Sequence, residues 1–88
     1  MTDEQKKKKA EFNLRIGQRV AQLRKQNGMT QEELSLKAGL QRSHIAKVER
    51  GVYDVTAFTI QLIAEALGMT VDIIDPRLQD LAPLRDIK

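Results

Sequence analysis

The sequence predicts an all-α domain of five short elements, and three observations carry that prediction. Apolar residues recur at spacings of three and four between Phe12 and Leu67, the period of a helix face. Gly28, Gly39, Gly51 and Gly68 fall where successive stripes stop, and Thr30 and Thr56 stand where two of the stripes begin. With 88 residues and 41% hydrophobic content there is material for one compact domain with a small core. Phe12, Tyr53 and Phe58 are the only aromatic residues, so that core must be aliphatic.

The chain opens with a polar stretch, residues 1–11, that holds four consecutive lysines, Lys6, Lys7, Lys8 and Lys9. Such a run repels itself, so the stretch is expected to be a flexible basic arm or a frayed helical extension. The first helix is expected over residues 11–27, where Phe12, Ile16, Val20 and Leu23 form one apolar stripe. Gly28 stops it and Met29 turns inward. Thr30 and Glu33 have the spacing of a capping box at the start of the second helix.

In that second helix Leu34 and Ala38 share a face, and Ser35 is small where a neighbouring helix must cross closely. Gly39 can take the positive φ that ends a helix, letting Leu40 drop into the core. The third helix turns Ile45 and Val48 inward; Ser43 and Lys47 then point away from the core, with Arg42 and Ala46 on the flanks. Gly51 ends it, a loop covers 52–55, and Thr56 caps a fourth helix over 57–67 whose inner face is Ile60, Ile63, Ala64 and Leu67.

The fifth element, 69–75, has two readings. Thr70 is placed to cap a short helix with Leu67, Val71 and Ile74 along its face. Yet Thr-Val-Asp-Ile-Ile is β-branched at four of five positions, and Val71 and Ile73 alternate with Asp72, which tips the balance to a strand. A lone strand needs a partner, and its twin across a dimer axis would supply one. Pro76 ends the element in either case. The tail, 76–88, carries Leu78, Leu81, Leu84 and Ile87 and is interrupted by Pro83.

Charge divides the chain. Residues 1–50 hold seven Lys and five Arg against six acidic residues, a net of +6, whereas 51–88 hold two Arg and one Lys against six, a net of −3. A basic half that contains the second and third helices suits a phosphate-facing surface. The other classes find no support. There is no cysteine and one histidine, His44, so neither a disulfide nor the usual zinc site can be built, and no catalytic relay is apparent. No glycine-rich loop follows a strand, no apolar run reaches bilayer length, and no signal peptide opens the chain. The expectation is a non-enzymatic cytoplasmic protein with no cofactor, no metal, no membrane segment and no small-molecule effector.

The stretch 31–50 resembles the helix-turn-helix of the phage repressor and Cro family, also called Xre-like. Gln31 opens the first helix of the motif, Ser35 and Gly39 sit at its crossing and turn, and Ile45 and Val48 lie in its second helix. Val48-Glu49-Arg50-Gly51 is similar to that family's end to the recognition helix. The resemblance extends from about residue 16 to 74, inside a domain placed at 12–75. It implies a lambda-repressor-like fold and double-stranded DNA as partner.

Base edges are then expected to be read by Gln41, Arg42, Ser43 and Lys47. Phosphates are expected to be met by Gln31, Tyr53, His44 and the arm lysines Lys6, Lys7, Lys8 and Lys9. The resemblance also implies an ion pair between Arg24 and Glu49. The loop of Tyr53 and Asp54 lacks the lysine or arginine usual in the family, which weakens its expected phosphate contacts.

One recognition helix covers only a few base pairs, so a homodimer is expected, with its two reading helices about 34 Å apart on a palindromic operator. The acidic half is the place for its seam, through Val71, Ile73 and Ile74 bordered by Val55 and Phe58. An alternative to a stand-alone repressor is an antitoxin, which holds a toxin protein and autorepresses its operon, with the leucines of the tail as a docking stripe.

Overall fold

The computed structural model describes residues 1–75 and 77, and the tail residues Leu78, Leu81, Leu84 and Ile87 lie outside them, as does Pro76. Four helices and one 3-10 turn follow in order: α1 (Asp3–Gln26), α2 (Gln31–Ala38), α3 (Arg42–Arg50), α4 (Ala57–Ala66) and the 3-10 turn Val71–Ile73. No strand occurs among the described residues.

The core forms where the stripes of these elements meet. Ile16, Val20 and Leu23 of α1 close on Leu34 of α2, Ile45 and Val48 of α3, and Ile60, Ile63 and Ala64 of α4. Leu67 and Ile74 complete it from below, and Phe12, Met29, Leu40 and Tyr53 border it. Apart from those two half-exposed aromatics the centre is aliphatic.

Two expectations need correction. Of the two readings of the lysine run, the flexible arm gives way to the helical extension: α1 begins at Asp3 and carries Lys6, Lys7, Lys8 and Lys9 on its first turns. Thr2 accepts from the backbone N–H of Gln5, while the Gln5 side chain accepts from that of Thr2, a complete capping box. Asp3 and Glu4 in the first turn oppose the positive end of the helix dipole. Together they offset the repulsion within the run.

The strand at 71–75 is not formed either. The N–H groups of Ile74 and Asp75 both return to the Val71 carbonyl, at 3.0 and 2.9 Å, and Arg19 Nε donates to the Ile73 carbonyl at 2.8 Å. A strand would put Ile74 on the face opposite Val71. A helical turn, with its spacing of three, brings both toward α4, and Ile74 is fully buried there. Burial of one large aliphatic side chain, about 1.5–3 kcal/mol, outweighs a β propensity whose whole scale spans about 1 kcal/mol. Ile74 therefore belongs to its own subunit's core and has no surface to give to a dimer seam.

Candidate nucleic-acid interface

The turn between α2 and α3 is built from local chemistry. Thr30 caps α2 through the Glu33 N–H, and the Glu33 carboxylate accepts from the Thr30 N–H at 2.9 Å. Ser35 is buried and donates to the Glu32 carbonyl at 2.7 Å, so its hydroxyl is satisfied while its small size admits α3. Gly39 takes φ +71°, and the Leu40 N–H then reaches the Ser35 carbonyl at 2.9 Å. α3 leaves this turn with Ile45 and Val48 fully buried.

That burial fixes what the opposite face presents. Ser43 and Lys47 occupy it, with Arg42 on its flank and Gln41 at the helix start, and all four are exposed. Gln41 is the N-cap residue and its side chain makes no capping bond, leaving its amide unspent at the leading end of the helix. His44 and Ala46 are half-buried on the flanks. The His44 ring packs against Tyr53, centroids 4.5 Å apart, and its Nε2 is enclosed without a hydrogen-bond partner.

The far end of α3 is locked to the scaffold by a polar network. Arg24 Nε and Nη2 grip the two Glu49 oxygens at 2.6 and 3.0 Å, the bidentate pair implied by the resemblance. The two side chains are only 10% and 7% exposed. Arg24 Nη1 also donates to the Met29 carbonyl at 2.7 Å, and Gln31 Nε2 donates to Glu49 Oε1 at 3.0 Å. Glu49 pushes the Arg24 pKa up by this hydrogen bond more than burial pulls it down, so the guanidinium stays charged. One carboxylate thus ties the end of α3 to α1 and to the first residue of α2.

Five further contacts went unforeseen in the sequence. Gly17 lies where α1 touches α3: a Cβ there would come within 2.3 Å of the Val48 carbonyl oxygen and 2.7 Å of that of Glu49. Gly51, at φ +74°, likewise presses on Leu14 of α1. Asp54, in the loop after α3, accepts from buried Asn13 Nδ2 at 2.9 Å and pairs with Lys9 at 2.7 Å. Lys8 makes a looser pair with Glu4 at 3.9 Å, both well exposed. Only the lysine run itself, seen as a source of positive charge, gave any sequence signal for these.

An exposed polar helix face, opened by a glycine turn and braced from behind, is the arrangement of a helix-turn-helix. A helix-turn-helix family model, HTH_3, matches residues 20–74. The chain belongs to this Xre-type family. It is one of DNA-binding regulators. The chain is 41% identical over 59 residues to an immunity repressor protein of Bacillus phage phi105, across 67% of this chain and 41% of that one. It thus spans less than half the length of that relative. It is 37% identical over 59 residues to the control protein C.BamHI of Bacillus amyloliquefaciens, across 66% of this chain and 73% of that one. The crystal structure of the restriction-modification controller protein C.AhdI from Aeromonas hydrophila superposes with a TM-score of 0.69 at 35% identity, covering 70% of this chain and 94% of the other. Among the described residues no helix is long and apolar enough to cross a membrane.

Proposed function

We propose that this helix-turn-helix protein is a transcriptional repressor that binds a palindromic operator as a homodimer. The observation that carries the reading is the exposed surface of α3, with Ser43 and Lys47 set opposite fully buried Ile45 and Val48, Arg42 on the flank and Gln41 at the leading end, all four exposed. These four side chains read base edges. Arg42, at the first position of the helix, makes the bidentate guanine contact.

Gln31 keeps one amide hydrogen on Glu49 and has a second for a phosphate oxygen. Lys6, Lys7 and Lys8 on the first turns of α1, with His44 of α3 and the Tyr53 ring packed against it, complete the backbone contacts, whereas Lys9 is taken up by Asp54. The relatives' descriptions as a repressor and as control proteins support regulation as the outcome of binding.

With Ile74 buried, the dimer seam rests on Val55, Phe58, Val71 and Ile73. Phe58 is 65% exposed at the start of α4, beside a cleft of about 160 Å³ lined by Ala57, Ile60, Gln61, Val71 and Asp75. No charged residue stands in the first turn of α4, and the carboxylate that lines the cleft, Asp75, is paired with Arg77, so two copies can approach there without strong repulsion.

Selection of binding sites from random duplexes, followed by single-base variants of the winning site, tests the reading. A two-fold-symmetric site is expected, and Arg42→Ala should relax preference at one base pair per half-site, worth about 1–3 kcal/mol of discrimination. Recovery of no preferred sequence, or a variant that keeps every preference, would refute it. The antitoxin alternative rests on the tail leucines, outside the described residues.

A further inference from the structure

Lys9 and Asp54 meet at the end of α3 that faces away from the turn, where the loop after the recognition helix is pinned to α1. A helix of nine residues is about 13.5 Å long, and the major groove is about 12 Å wide. A recognition helix lying in the groove with its first residues on the bases therefore brings its last residues, and the loop that follows, to the bounding phosphate backbone. That site is poor for an anion. The negative end of the α3 dipole points at it, and Asp54 adds a full charge. The ammonium of Lys9 and, to a lesser degree, the amide of Asn13 hold the Asp54 carboxyl below its ordinary range, so it is ionised at neutral pH.

Lys9 is the counterweight, and it is occupied. Its ammonium lies 2.7 Å from Asp54 Oδ2, while Lys6 lines the same cleft of about 270 Å³ with Asn13 and Val52. Both members of the pair are largely in solvent, 44% and 63% exposed, so their attraction is weak enough to be exchanged for another anion. We propose that Asp54 restrains sequence-independent DNA binding: its carboxylate stands in for a phosphate on Lys9 and withholds that lysine from the backbone. The inference rests on the DNA-binding reading above. Its consequence is kinetic as well as energetic. Non-specific sites outnumber operators enormously, and a regulator that holds the backbone with one cation fewer leaves them sooner.

The test is a salt titration of binding to a short random-sequence duplex, read by fluorescence anisotropy, for four proteins: wild type, Asp54→Asn, Lys9→Gln and the double variant. Asparagine keeps an oxygen for the Asn13 amide, so the loop stays anchored, and matching thermal melts check this. Asp54→Asn should bind more tightly at low salt. Its plot of log affinity against log salt should steepen by about 0.9, roughly an eight-fold greater loss of affinity per ten-fold rise in salt. Lys9→Gln alone should leave the wild-type slope, and the double variant should return to it. A slope unchanged by Asp54→Asn, or a gain that survives Lys9→Gln, overturns the proposal. Asp54→Ser, which also keeps an acceptor for Asn13, repeats the comparison should the amide disturb the loop. A wild-type chain that binds no DNA at all would instead refute the DNA-binding reading, and this inference with it.

Discussion

The contact of α1 with α3 and the contact of α4 with the 3-10 turn are made in opposite ways. At the first, backbone meets backbone: Gly17 leaves no room for a methyl group against the carbonyls of Val48 and Glu49, and a bidentate ion pair closes the same end. At the second, side chains do the packing around Ile74, the polar tie to the Ile73 carbonyl comes from Arg19 of α1 and not from α4, and a cleft and an exposed Phe58 remain. Under the function proposed above, the difference suits the two halves to different work. A helix that must hold several donors in register over base edges needs a stiff mount, because errors of an ångström forfeit hydrogen bonds. A surface meant for association keeps apolar groups uncovered instead.

The stiff mount should be the costlier one to break. Arg24→Ala would leave the nearly buried Glu49 carboxylate with Gln31 as its remaining partner, and loss of one partner of such a pair costs about 3–5 kcal/mol. Urea unfolding of the purified chain measures this directly. A loss below about 1 kcal/mol would mean that the pair behaves as a surface bridge and that α3 is held by its apolar face alone. Gly17→Ala comes next. Its Cβ meets carbonyl oxygens, which cannot rotate away as a side chain can, so α1 and α3 must separate at a cost of about 1–3 kcal/mol. Because the separation displaces the reading helix, operator affinity should fall even under conditions where the variant remains folded. Stability that drops with affinity untouched would show α3 to be carried by α2 instead.

Sequence legibility follows the same division. The turn from Thr30 to Leu40 was readable because each of its devices is local: a capping box, a small residue at a crossing, and a left-handed glycine all act within a few positions. The outward face of α3 followed once Ile45 and Val48 were assigned inward. Gly17 was not readable, since nothing in its neighbours says that another backbone passes within contact. The same holds for Asn13 with Asp54 and for Arg19 with Ile73, pairs 41 and 54 positions apart. The start of α1 was misread for a different reason. Four like charges outweighed the Thr2 and Gln5 capping box, although its signature stood in the sequence. At 71–75 local β propensity pointed one way and burial of Ile74 the other, and burial is decided by tertiary packing that no short window contains.

The softer contact has a pH signature. Asp75, which is buried beside the cleft, bonds the exposed Arg77 guanidinium, and this holds its carboxyl below the ordinary value of 3.8. A carboxyl with a lowered folded pKa contributes stability that is fully present above the unfolded value and is lost as pH falls through the folded one. Acid unfolding below about pH 4 should therefore be blunted in Asp75→Asn, with little change at pH 7 beyond the lost ion pair. Melting curves across that range are the measurement, and parallel acid limbs for the two proteins would exclude Asp75 as a contributor.

The smallest effect on the fold, and the sharpest on the comparison, is expected from Phe58. Its ring is 65% exposed in a single subunit, so Phe58→Ser removes little that the core uses, and unfolding free energy measured on the dilute chain should stay within about 0.5 kcal/mol. Between two copies the arithmetic differs. A fully buried aromatic side chain covers about 150–250 Å², and with 65% of Phe58 still exposed two copies supply roughly 200–320 Å² of an interface that needs about 1,200–2,000 Å² in all. Phe58 directly follows Ala57, which lines the cleft with Ile60 and Val71, in the first turn of α4. In the dimer proposed above, a two-fold axis beside this turn lets each ring enter the other copy's cleft. Phe58→Ser should accordingly lower the sedimenting mass toward that of one chain at concentrations where the wild type is paired, and weaken operator binding in step. Ile73→Ser should act in the same direction more weakly, whereas Ile74→Ser should unfold the subunit. If Phe58→Ser sediments like the wild type and binds the operator equally well, the seam lies elsewhere on the chain, and the exposed ring is a surface residue only.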